Sequence, residues 1–181
     1  MKLKNLKIVG KRFNLRKFRM SDISSIQKHI NDKRVYKYTL KIPHPYSLDD
    51  AKKFVHKTSY KWKTGKAYQF GIEVDNEIVG GISLDKIDKD NQSATLGYWL
   101  GKKHWSQGIM TEASKMILEF AFNDLKLRRI NSGVFKPNKA SARVLEKAGF
   151  KYEGCRIKYV LKDGKTYDQL HHGLLKEDWK K

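Results

Sequence analysis

The segment from Leu96 to Ala113 reads Leu-Gly-Tyr-Trp-Leu-Gly-Lys-Lys-His-Trp-Ser-Gln-Gly-Ile-Met-Thr-Glu-Ala, and its spacing suits the binding of a polyanion. A run of strand character, Leu96 to Leu100, passes through a short basic loop into the opening of a helix. The first amides of a helix have no carbonyl partners and sit at the positive end of its dipole. They form a ready anion site, and Gly108 offers no side chain to keep a phosphate from that backbone. A pyrophosphate is the guest these features fit. The same glycine would also serve a tight turn and nothing more. Lys102, Lys103 and His104 either supply further charge there or face solvent.

A second segment, Asn138-Lys139-Ala140-Ser141-Ala142-Arg143-Val144-Leu145-Glu146-Lys147-Ala148-Gly149-Phe150, follows some twenty residues later. Asn138 comes after Pro137 and opens a helix, the place of an N-cap. Ser141 lies three, four and seven positions before Val144, Leu145 and Ala148, so it shares the helix face that turns inward. A small buried serine bonded to a preceding carbonyl would sit there equally well.

In order and spacing, these two segments resemble the GNAT superfamily of acyl-CoA-dependent N-acetyltransferases, in particular the ribosomal-protein N-terminal (RimJ/RimL-type) subgroup. The resemblance runs from about Phe13 to Trp179. It takes in Gly97-Tyr98-Trp99-Leu100, Thr111-Glu112-Ala113, Glu146 to Phe150 with Glu153-Gly154, and a closing strand at Asp168 followed by Glu177-Asp178-Trp179. The fold it implies is α/β (α+β), a mixed central sheet of about seven strands with helices on both faces. Acetyl-CoA is the implied co-substrate, with no metal, and a primary amine attacks the thioester directly in a ternary complex.

By the same resemblance, Tyr98, Trp99, Leu100, Gln107, Gly108, Ile109, Met110, Thr111, Asn138 and Ser141 are the cofactor-binding residues. Asn138 lies beside the pantetheine arm and Ser141 is the general acid for the departing thiolate, which makes these two the catalytic candidates. The superfamily's phosphate loop, Q/R-x-x-G-x-G/A, falls on Trp105 to Met110. Trp105 replaces Gln/Arg and Met110 replaces the second small residue, so phosphate binding falls to the backbone amides from Gln107 to Thr111. Thr95 stands where many members carry a glutamate that helps to deprotonate the amine, and a threonine cannot be that base. Glu73 and Asp85 are the remaining candidates, each expected to be a solvated strand or turn carboxylate. The acceptor that the resemblance implies is a protein or peptide N-terminal α-amine, ribosomal or other. A polyamine, aminoglycoside or amino acid is the alternative.

The elements that must position these residues follow from periodicity. Leu3, Leu6 and Ile8, then Phe13 and Leu15, read as extended, and Ser21-Asp22 is expected to cap a helix carrying Ile23, Ile26 and Ile30. After the loop Ile42 to Pro45, Ser47 to Asp50 resembles a capping box for a helix stopped by Gly65. Tyr68 to Val74 and Ile78 to Leu84 form a hairpin, and Ala94 to Leu100 adds a third strand. Ala113, Met116, Ile117, Phe120 and Ala121 make one helical stripe, Arg129 to Phe135 is a strand, and a helix runs from Asn138 to Gly149. Tyr152 to Leu161 and Thr166 to Leu175 are joined by the turn Lys162 to Lys165.

The 181 residues fit one domain, 1–181. The 39 Lys and Arg against 19 Asp and Glu leave a net charge of +20, a field that attracts nucleic acid, ribosomes or other polyanions without naming one. A single cysteine, Cys155, excludes an internal disulfide, and the absence of a long apolar run or secretory start places the chain in the cytoplasm, off the membrane. Cys155 is expected to be a plain thiol. His171 and His172 are adjacent on a strand and face opposite ways, which makes no metal site. The runs Tyr36-Lys37-Tyr38 and Tyr60-Lys61-Trp62-Lys63 leave a second class open, a basic RNA-binding module with stacking rings. The loops Ile42 to Tyr46 and Lys162 to Thr166 should decide the acceptor; the sequence leaves oligomeric state open.

Overall fold

The computed structural model describes residues 6–179; Leu3 of the first extended stretch lies outside them. Strands β1 (Lys7–Val9) and β2 (Asn14–Lys17) lead into helices α1 (Ile23–Ile30), α2 (Lys33–Lys37) and α3 (Leu48–Thr64). Then come β3 (Tyr68–Val74), β4 (Glu77–Asp88), β5 (Ser93–Leu100), α4 (Ile109–Glu119) and β6 (Arg129–Phe135), followed by α5 (Lys139–Lys147), β7 (Lys151–Lys162) and β8 (Lys165–Leu175). The strands form one mixed sheet in the order β1-β2-β3-β4-β5-β6-β8-β7, with eight members rather than the seven expected. The added strand arises because the first extended stretch turns back on itself after Val9 and divides into β1 and β2, which pair antiparallel.

Local chemistry sets several boundaries. The Ser47 hydroxyl accepts from Asp50 N–H and the Asp50 carboxylate accepts from Ser47 N–H, so the box closes both ways on α3. Gly65 ends that helix at φ +66°. Asp22 does stand at the start of α1, but its side chain does not cap it. Its carboxylate takes the Arg16 guanidinium at 2.8 and 2.9 Å instead. Helix α2 was not legible in sequence, because five residues carry too little apolar period to register.

Helices cover both faces. Ala113, Ile117 and Leu118 of α4 and Leu145 of α5 share a core with Phe70, Leu84, Leu96 and Ile130. Ile26, Ile30, Val35 and Val55 from α1 to α3 share another with Phe18, Ile78 and Trp99. Each buried side chain of this size contributes about 1.5–3 kcal/mol. Strand alternation therefore sends Trp99 to the α1–α3 side and Leu96 and Tyr98 to the α4–α5 side.

One discontinuity in the sheet bears on the site. Strands β5 and β6 are its parallel neighbours, yet they pair only at Ser93↔Arg129, Ala94↔Ile130 and Thr95↔Asn131. Beyond that, Leu96 to Leu100 and Ser132 to Phe135 diverge, each held on its outer side by β4 or β8. Near the point of divergence, the Ser132 hydroxyl donates to the Leu96 carbonyl at 3.1 Å. The result is a wedge lined by two strand edges whose peptide groups face a gap, and such groups require polar partners.

Candidate active site

The loop after β5 reaches α4 through Gly108, whose φ of +76° is the left-handed conformation that a glycine adopts without strain. The first bond of the helix is Glu112 N–H to the Gly108 carbonyl, so the amides of Ile109, Met110 and Thr111 precede the ladder. Of the predicted residues here, Gln107 and Gly108 are exposed, Thr111 is half-buried, and Ile109 and Met110 turn their side chains into the core. Those two can meet an anion only through their amides. Trp105 packs against the α1–α3 core and donates its indole N–H to the Leu100 carbonyl at 2.7 Å, while Lys102 lies 4.7 Å from its ring centroid. Trp105 thus braces the loop from behind.

A residue missed in the sequence completes the loop. Arg12, from the β1–β2 turn, donates to the Gln107 carbonyl at 3.0 Å and to the Glu112 carboxylate at 2.7 and 3.1 Å. It ties the loop to the first turn of α4 and adds a cation beside Gly108. Nothing local in Lys11-Arg12-Phe13 signals this, because its partners lie about a hundred residues away.

Across the wedge, the Tyr98 hydroxyl of β5 lies 2.8 Å from Ser141 Oγ and donates to the Ser141 carbonyl at 3.1 Å. Burial pushes the Tyr98 phenol up to about 12, with the Ser141 bond pulling back only in part, so it keeps its proton at neutral pH. Asn138 is the N-cap expected, its Oδ1 accepting from Ser141 N–H at 3.1 Å. The cap fixes the first turn of α5 and thereby Ser141. Asn138→Ala should cost about 1 kcal/mol in a denaturant titration, whereas Asn138→Ser, still a cap, should cost much less. Leu100 is half-buried and the Trp99 ring lies on the far face of the sheet, so these two can line the wedge by backbone.

The carboxylates considered as bases are engaged elsewhere. Glu73 is buried rather than solvated. Burial would raise its pKa, but Arg16 and then Lys7 outweigh burial and hold it below the usual range. Asp85 receives Lys61 and Gln69 at 3.1 and 3.0 Å and the Ser83 hydroxyl at 2.6 Å. Thr95 closes the last paired rung before the wedge.

The two loops expected to govern the acceptor line one cavity at the wedge mouth, His44 from the first and Lys162 and Asp163 from the second. The β7–β8 turn overhangs the end of β6, where Tyr167 stacks on Phe135 with centroids 6.0 Å apart. The Tyr36 hydroxyl of α2 donates to Asp163 at 2.5 Å, and Lys162 donates to the Thr39 carbonyl at 2.8 Å. Trp62 of the basic aromatic runs is buried edge-on against Tyr68 and Phe70 and offers no stacking platform. Cys155 is exposed on β7, and His172 is buried while His171 is half-buried. Among the described residues no cluster could hold a metal and no helix is long and apolar enough to cross a membrane.

The family model described as an acetyltransferase (GNAT) domain matches residues 12–151. The probable N-acetyltransferase YjcK of Bacillus subtilis (strain 168) is 38% identical over 136 residues, covering 74% of this chain and 75% of that protein. The ribosomal-protein-serine acetyltransferase of Escherichia coli (strain K12) is 32% identical over 109 residues, 60% of this chain and 61% of that one. Among solved structures, Mycobacterium smegmatis RimJ in complex with CoA-disulfide has a TM-score of 0.87 at 24% identity, covering 98% of this chain and 89% of that chain.

Proposed function

The chain belongs to the GNAT family of acetyl-CoA-dependent N-acetyltransferases, and from that premise we propose that residues 1–181 act as one catalytic domain, in the cytoplasm, acetylating a peptide or protein N-terminal α-amine. One observation carries this reading: Tyr98 and Ser141 bond to each other across the wedge, while Glu73 and Asp85 are tied into other ion pairs. The amine must therefore reach its neutral form with little help. With reference pKa values near 7.8 and 10.4, about 14% of an α-amine but only about 0.04% of a lysine amine is neutral at pH 7.

The residues present fit the co-substrate. The amides from Gln107 to Thr111, with Lys102, Lys103 and Arg12 near them, suit its phosphates. The divergent edges of β5 and β6 and the Asn138 amide suit an extended arm that carries its own peptide groups. When bound, acetyl-CoA supplies the acetyl group as a thioester. Ser141 would then pass its proton to the departing thiolate and take one back from the attacking amine nitrogen, while the Tyr98 hydroxyl, 2.8 Å from Ser141 Oγ, holds the serine in place. A backbone amide at the wedge stabilises charge on the carbonyl oxygen.

A mass-spectrometric screen with labelled acetyl-CoA against peptide N-termini, polyamines, aminoglycosides and amino acids tests this reading. Peptide N-termini should react fastest, and a polyamine or lysine side chain reacting much faster would overturn it. The pH profile is a second check. With the acceptor saturating neither form, kcat/KM should rise about tenfold per pH unit below about 7.8 and level off above it, following the free amine. No fall should set in before about pH 10, because the Tyr98 phenol stays protonated to about 12.

A further inference from the structure

A cavity of about 260 Å³ lies at the wedge mouth, between α2 and the β7–β8 turn. Its wall carries three lysines, Lys33, Lys37 and Lys162, against one acid, Asp163. Asp163 already accepts the Tyr36 hydroxyl, and the Lys162 ammonium is fixed on the Thr39 carbonyl and 3.4 Å from the Tyr36 ring centroid. Lys162 therefore braces the turn against α2. Lys33 and Lys37 differ. They are exposed, four residues apart on one face of α2, and among the described residues neither pairs with a carboxylate; Lys37 lies 5.4 Å from the Tyr38 ring centroid. Like charges at that spacing repel and weaken a helix. A bound anion would reverse that penalty.

His44, whose ring lies 5.6 Å from that of Tyr36, also lines the cavity, and its Nδ1 is buried without a hydrogen-bond partner. The wall thus presents two uncompensated cations. Its position also matters. Phe135 at the end of β6 stacks on Tyr167 of the cavity wall. At the end of β5, Gly101 packs against His29 of α1, which leads directly into α2. An acceptor seated in the cavity therefore lies where the wedge opens.

We propose that the acceptor is a peptide with acidic residues immediately after its N-terminal amine, the carboxylates held by Lys33 and Lys37 while the amine enters the wedge. This rests on the peptide-acceptor reading above and adds a charge requirement to it. The net charge of +20 would steer such a peptide from a distance.

The test compares kcat/KM for peptides of equal length beginning Ser-Asp-Glu, Ser-Gln-Gln and Ser-Lys-Lys. The acidic peptide should be favoured over the neutral one by about tenfold at low salt, with the ratio shrinking as ionic strength rises. In a Lys33→Glu/Lys37→Glu double variant the preference should move to the basic peptide; CoA affinity by calorimetry verifies that this variant is folded. Should it fail to fold, the single variants Lys33→Gln and Lys37→Gln decide, each expected to shrink the acidic preference about threefold, and a preference unmoved in both would overturn the proposal. Peptides acetylated equally well whatever their charge, or a preference unmoved in a folded variant, would overturn the proposal and leave the peptide reading standing. A small amine acetylated while no peptide of any charge reacts would overturn both.

Discussion

Replacing Gly108 by valine is expected to weaken CoA binding by at least a hundredfold in calorimetry while the protein stays folded. Two separate effects set this outcome. Within the protein there is room, since a Cβ at Gly108 would meet only Arg12 Nη2, at 3.7 Å. The cost to stability is therefore mainly that of holding a β-branched residue at φ +76°, about 1–2 kcal/mol. On the ligand side, the new methyl groups stand where a phosphate must approach the amides that precede the first helical bond. Losing two charge-assisted hydrogen bonds at about 1.5–3 kcal/mol each accounts for the hundredfold or more. Gly108→Ala, with the same strain problem but less bulk, should fall between wild type and valine. A folded Gly108→Val protein with unchanged CoA affinity would place the phosphates elsewhere.

The same loop shows what a sequence can and cannot disclose. Trp105 and Met110 depart from the family pattern, and on paper each removes something from the phosphate site. In the fold neither faces it: Met110 is buried against the α4 core, and Trp105 supports the loop through the Leu100 carbonyl. Side-chain direction depends on the turn at Gly108, which sequence spacing does not encode. Arg12 shows the converse. Its partners Gln107 and Glu112 become visible only once the β1–β2 turn is placed beside α4.

Elements with local instructions were legible nearly to the residue. Ser47, Asp50 and Gly65 bound α3, while the Asp75-Asn76 and Asp163-Gly164 turns adopt the positive φ values that hairpin turns of this kind require. The order of strands was not legible, nor was the wedge. The pattern of Leu96 to Leu100 says that β5 is a strand, but where its pairing stops is a joint property of β5 and β6. The insertion of β8 between β6 and β7 is likewise a decision of the whole sheet. Asn138 and Ser141 were identified singly, yet the contact that gives Ser141 its setting comes from Tyr98, on a strand forty-three residues earlier. Tyr98 was expected to touch the cofactor, and its place beside the serine emerged only from the fold.

That contact leads to the second large effect. Ser141→Ala should lower kcat about a hundredfold, the low end of the range for general acid catalysis. A thiol of pKa near 8.5 leaves tolerably well without a proton, which keeps the loss from being larger. CoA affinity should change little, because the Asn138 cap bonds the Ser141 backbone N–H, which alanine retains. Tyr98→Phe removes the hydroxyl 2.8 Å from Ser141 Oγ and should also lower kcat without abolishing binding. If the two hydroxyls act as one proton-holding unit, the double variant will be no slower than the slower single variant. Losses that simply multiply would mean that Tyr98 and Ser141 contribute separately. Undiminished kcat in Ser141→Ala, measured where chemistry and not product release limits turnover, would reduce the serine to a packing residue and leave Tyr98, still protonated at neutral pH, as the one hydroxyl of the pair able to supply the proton.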